Sequence, residues 1–147
     1  MTTVDARVHG DPSTGADQPR RNLRLGWTVF TILLAVGFFL EAVFAGSILS
    51  GVVWARKAHA ATAMILIVLS FTGAFVGLAT LRRYRSGARL GLILLSLAAG
   101  TLVQAALGAM SAKGANLTWI HVPLGVALVS LAGLAAIAAR GMGLVAR

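Results

Sequence analysis

The chain has 147 residues, of which 58% are hydrophobic and 12% charged, with a net charge of +9 and a mean hydropathy of +0.86. A soluble domain is roughly half apolar and a quarter charged, so this composition falls outside the soluble range. The absence of cysteine excludes disulfides, thiolate metal sites and the C-x-x-C-H attachment of a c-type haem.

Met1–Arg24 is polar and carries three of the four acids along with Pro12 and Pro19. It has too little apolar surface to fold alone and reads as a disordered cytoplasmic tail, residues 1–24. It lacks the short apolar core and small-residue cleavage site of a signal peptide. Four apolar runs follow, within Leu25–Gly51, His59–Leu81, Leu90–Met110 and Leu117–Ala139. Each exceeds the roughly 20 residues a helix needs to cross the hydrocarbon core. Backbone groups in lipid must be satisfied internally, and the runs are continuous rather than alternating, so they read as helices.

The predicted fold is all-α, an integral membrane four-helix bundle over residues 25–140, with helices near 25–50, 59–81, 88–110 and 119–139. Residues 141–147 form a short cytoplasmic C-terminal end. Short connections make sequential helices antiparallel neighbours.

Orientation follows from the basic residues. Arg7, Arg20, Arg21, Arg24, Arg82, Arg83, Arg85, Arg89, Arg140 and Arg147 fall on one side, and only Arg56, Lys57 and Lys113 on the other. Ten against three predicts both termini inside, the N-in/C-in arrangement. Trp54 and Trp119 are then expected at the outer interface and Trp27 at the inner one. The cations lie between apolar runs without interleaved aromatics, so they read as topology signals and lipid headgroup contacts and not as a nucleic-acid surface. The Ala-, Gly-, Val- and Arg-rich composition suggests a GC-rich bacterial source. The predicted location is the cell membrane, with the lipid bilayer as the first partner.

The two halves echo each other. Gly37-x-x-x-Glu41-Ala42-x-x-Ala45 in the first helix parallels Gly100-x-x-x-Gln104-Ala105-x-x-Gly108 in the third. His59 and His121 follow at nearly the same spacing, each preceded by a tryptophan and each opening the next helix. This predicts a two-helix parallel repeat about a pseudo-two-fold axis along the membrane normal.

Polar residues inside a bilayer are costly and are functional candidates by default. Here they are Glu41, His59, Gln104 and His121. Pro123 is tolerated only in the first turn of a helix, which places His121 near a helix start. The two histidines are then expected at one depth in the outer leaflet, facing each other across the bundle axis. Two neutral imidazoles on facing helices suit a six-coordinate haem iron, so both are candidate metal ligands.

Ala63 and Gly125 leave room for a flat ring beside the histidines. Arg56, Lys57 and Lys113 are candidates to pair with haem propionates, with snorkelling to headgroup phosphates the alternative. Glu41, without an intramembrane Arg or Lys, is a candidate proton-handling residue. It is expected to bond Gln104, donate to a haem group or relay a proton. Its plainer role is to glue helices, as that of a single interfacial histidine is to sit at headgroup level.

The run Gln104-Ala105-Ala106-Leu107-Gly108, followed by His121 opening the next helix, resembles one half of the haem A synthase family. The layout is also similar to that of small four-helix membrane proteins of actinobacteria. The resemblance spans Leu25–Ala139. It implies a b-type haem (iron) held non-covalently between His59 and His121 on the outer side, for electron transfer, haem handling or sensing.

Members of that family usually have eight helices, and many have an outer-loop cysteine pair. Their catalytic half has an acidic residue shortly before the first histidine, where this chain has Arg56, Lys57 and Ala58. The expectation is therefore a haem-binding or electron-transfer protein rather than a stand-alone enzyme, served by a quinol or another membrane redox partner. A haem A synthase-like oxygenase working as a homodimer, a small proton-coupled carrier using Glu41, and a structural or assembly subunit of a membrane complex are the alternatives.

Overall fold

The computed structural model describes residues 13–143, with side chains from residue 18 onward. Four α-helices and no strand occur among the described residues: α1 (Ser13–Leu49), α2 (Ala55–Leu81), α3 (Arg85–Ala112) and α4 (Thr118–Arg140). All four are long and apolar enough to cross a membrane. They form a ring in which α1 packs on α2 and α4, and α3 packs on α2 and α4. The pairs α1/α3 and α2/α4 are diagonals. The arginine end holds the α2–α3 turn and the end of α4, and the histidine end holds the other two turns.

The outer surface is the more apolar one. Phe75, Ile137, Leu33 and Val126 are 77%, 69%, 65% and 60% exposed, while the interior is rich in Gly, Ala and Leu. Lipid supplies no hydrophobic drive between helices, so close backbone approach and dispersion hold such a bundle together. Leu66 seats on Gly37, where an added Cβ would come within 2.8 Å of its Cδ2, and Leu128 seats on Gly100 at 2.7 Å. Gly73 and Gly77 are packing positions too: the first receives Phe30, the second Trp27 and Leu94.

The main departures from the sequence expectation concern the start of α1, the start of α2 and the position of Trp27. α1 begins at Ser13, so residues 13–24, expected within the tail, are helical here, while Met1–Pro12 lie outside the described residues. Hydropathy marks where a helix enters lipid, not where it ends. At 1.5 Å per residue α1 spans roughly 55 Å, well beyond the hydrocarbon core, and its exposed Arg20, Arg21 and Arg24 lie in the surplus. α2 begins at Ala55, which is fully buried, so His59 lies one turn inside the helix instead of opening it. Trp27 is 7% exposed and packs edge-on against Phe30; it is a core residue, not an interfacial anchor. Trp54 and Trp119 are exposed.

The α2–α3 turn is tight. Tyr84 adopts an extended backbone, its amide donates to the Leu81 carbonyl, and Arg83 stacks 5.0 Å from its ring centre. Gly87 is required there, because a Cβ would fall 2.6 Å from the Leu81 carbonyl oxygen. Ser86 donates to the Gly143 carbonyl at 2.6 Å, tying the turn to the chain beyond α4.

Candidate functional site

Each helix turns one stripe of residues inward, and that stripe changes character along the bundle. Toward the arginine end it is buried: Trp27, Thr31, Leu34 and Phe38 on α1; Leu90, Leu94, Leu97 and Thr101 on α3. The same holds for Leu66, Ser70, Gly73 and Gly77 on α2, and for Leu128, Ala132, Ala135 and Ala139 on α4. Toward the histidine end every stripe becomes half-buried at the same level. It continues as Glu41 and Ala45, His59 and Ala63, Gln104 and Gly108, and His121 and Gly125.

Four polar side chains meet in this opening. His59 Nδ1 lies 2.7 Å from Glu41 Oε2, at ion-pair distance but short of good hydrogen-bond alignment. Gln104 Nε2 donates to the His121 backbone carbonyl at 2.9 Å. The His59 and His121 rings reach across the α2/α4 diagonal, with centroids 6.5 Å apart and planes inclined by 74°.

The sequence expectation paired Glu41 with Gln104, a haem group or a proton relay. Its nearest partner is instead His59, because α1 packs on α2 whereas α1 and α3 stand on a diagonal. Glu41 and His59 are 14% and 26% exposed at their side chains.

Several polar atoms here are buried without a hydrogen-bond partner: Glu41 Oε1, His59 Nδ1, Gln104 Oε1, Ser111 Oγ and His121 Nδ1. Neither histidine Nε2 is in that condition. Buried polar groups are ordinarily satisfied, and an unsatisfied cluster at one end of a bundle asks for a ligand, ion or water.

Two glycines shape the space around His121. A Cβ on Gly108 would fall 3.1 Å from His121 Cε1, and one on Gly125 would fall 3.0 Å from Gln104 Nε2. Gly125 was a sequence candidate, but its room serves the Gln104 amide. Gly108 was not a site candidate, although it closes the Gln104-x-x-x-Gly108 motif. The signal was its place one turn from Gln104 on the same helix face.

The remaining candidates lie apart from the histidine pair. Ala63 is half-buried on the stripe of α2 below His59. Arg56 and Lys57 line a separate surface pocket of about 300 Å³ with Ile48, Gly51, Val52 and Val53. Lys113 caps α3 and is exposed.

The donor set allows a test of what metal would suit it. Among the described residues no group of three or more His, Asp or Glu side chains converges on a metal position. Two imidazoles alone suit a metal that brings its own equatorial ligands, as haem iron does. A metal shared by two imidazoles, with bonds of about 2 Å and each nitrogen about 1 Å from its ring centre, spaces the centroids about 6 Å apart. The observed 6.5 Å is close to that. The Glu41 contact at His59 Nδ1 leaves Nε2 for a metal, the usual carboxylate–histidine–metal arrangement. Two imidazoles at this separation are residues that could hold a haem iron.

Comparison with protein-family models, with curated proteins and with solved structures found no match to this chain. Fold and site together define a four-helix bundle built to cross a membrane, with a polar opening at one end around a histidine pair.

Proposed function

We propose that the chain is a multi-pass membrane protein that binds one b-type haem non-covalently between His59 and His121, near the outer face of a bacterial cell membrane. The observation that carries this reading is the pair of imidazoles 6.5 Å apart on diagonal helices, set among buried polar atoms that lack partners. His59 and His121 would hold the iron. Glu41 would orient His59 through Nδ1, and Gln104 would fix the backbone of His121. Gly108 and Ala63 would leave room beside the rings. Bound haem supplies a one-electron couple at iron.

A haem near one face does not carry electrons across a bilayer by itself, so an outer-face donor such as a quinol, or a membrane partner, belongs to the reading. Arg56 and Lys57 sit on their own surface pocket, which favours headgroup contact over propionate pairing.

The placement of both termini inside rests, among the described residues, on Arg20, Arg21, Arg24, Arg82, Arg83, Arg85, Arg89 and Arg140 at the arginine end against Arg56, Lys57 and Lys113 at the other. A two-helix repeat is supported by two parallel relations. The buried positions Trp27, Thr31, Leu34 and Phe38 have the spacing of Leu90, Leu94, Leu97 and Thr101, and Leu66 on Gly37 matches Leu128 on Gly100.

Haem titration into the purified chain tests the binding. The expected result is saturation at one haem per chain, with uptake lost in His59→Ala and weakened in His121→Ala. Uptake that survives in the double variant would remove the assignment.

A second reading follows from the Glu41–His59 contact itself, which is mostly buried and at ion-pair distance. Such a pair suits a small proton-coupled carrier that exchanges a proton for a cationic substrate. That reading predicts substrate-driven proton release that disappears in Glu41→Gln.

A further inference from the structure

The two histidines are not held alike. His59 stands one turn into α2, whose first residue, Ala55, is fully buried. The turn before it is braced by the edge-on contact of Phe44 with Trp54 and by the Val52 amide donating to the Ser47 carbonyl. Glu41 meets its ring at Nδ1. His121 stands near the start of α4, where no residue is buried before Leu128 and where Trp119 is exposed. Gln104 grips its backbone carbonyl, not its ring. No carboxylate contact is made to its ring among the described residues, and a Cβ on Gly108 would fall 3.1 Å from its Cε1.

A metal-bound imidazole whose second nitrogen meets a carboxylate is oriented and made more basic. One without such a partner is a weaker ligand and turns more freely.

On the reading of this site as a haem site, we propose that His59 is the permanent axial ligand and His121 a displaceable one. The position His121 vacates then takes a neutral diatomic such as carbon monoxide, nitric oxide or dioxygen. The exchange is a simple substitution: the bond from iron to His121 Nε2 breaks, a bond from iron to the diatomic forms, and the imidazole leaves neutral. With carbon monoxide no electron is transferred. The protein would then be suited to ligand sensing or ligand chemistry in addition to electron transfer.

Carbon monoxide titration of the haem-loaded, dithionite-reduced full chain tests this. The expected result is a saturable Soret shift in the unmodified protein. His121→Ala should retain haem and bind carbon monoxide at least about 10-fold more tightly. His59→Ala should lose most of its haem, and Glu41→Gln should weaken haem retention by about 10-fold or more, the usual loss when a metal ligand's supporting partner is removed. The unmodified protein alone decides the matter if a variant does not fold. A reduced haem protein that shows no shift under saturating carbon monoxide would overturn the proposal while leaving the haem site standing. Equal haem loss in the two histidine variants would also overturn it. A chain that takes up no haem at all would instead bring down the reading beneath it.

Discussion

At the arginine end the inward stripe of α1 runs through Trp27, Thr31 and Leu34, all buried, and the matching stripes bring in Leu81, Leu90, Leu94 and Ala139. At the histidine end the same stripes present Glu41, His59, Gln104 and His121, all half-buried and with unpartnered polar atoms. One set of four helices thus has a packed end and an unfinished one. The packed end leaves one buried polar atom without a hydrogen-bond partner, Ser70 Oγ, whereas the histidine end leaves five. Fold stability and ligand chemistry are therefore separable along the membrane normal, and substitutions should sort by the end they touch.

The largest stability effect is expected at Gly87. A methyl group there meets the Leu81 backbone oxygen, which cannot move aside without opening the α2–α3 turn. Gly87→Ala should cost about 3 kcal/mol or more, read as a fall in the unfolding midpoint in detergent. Leu94→Ala and Leu97→Ala, fully buried in α3, should each cost about 2–4 kcal/mol by cavity formation. Gly100→Ala should cost about 1–2 kcal/mol, because the Leu128 methyl that it meets is the end of a flexible side chain.

At the other end, Glu41→Gln should change the stability of the haem-free chain by less than about 1 kcal/mol, since one carboxyl oxygen already lacks a partner. The comparison breaks if Glu41→Gln unfolds the chain as readily as Leu94→Ala does. Topology gives a further check. The chain has no cysteine, so single cysteines can be read cleanly. Ala115→Cys should react with an impermeant maleimide on intact cells and Arg83→Cys only after lysis.

Much of this was legible in the sequence, and the gaps have physical causes. Unbroken apolar runs mark four membrane-crossing helices because lipid leaves the backbone no other option. The matched spacing of Glu41 to His59 and of Gln104 to His121 brings the polar residues to one end of the bundle. Hydropathy does not reveal that α1 continues back to Ser13, since a helix leaving the membrane can keep its hydrogen bonds in water. It also does not tell Trp27 in the core from Trp54 at the surface. That difference rests on Gly77, which offers the indole a seat on the neighbouring helix. The partner of Glu41 depended on which helices share an edge of the ring and which a diagonal, and the spacing within one helix carries no such information. Gly108 and Gly87 matter through what a Cβ would strike, a property of the folded chain alone.

The most direct test of the account is the absorption spectrum of the purified chain, oxidised and then dithionite-reduced, after supply of haem during expression. The expected result is a Soret band with sharp reduced α and β bands, the signature of low-spin iron between two imidazoles. A chain that folds, stays monodisperse and remains colourless with haem supplied would contradict it.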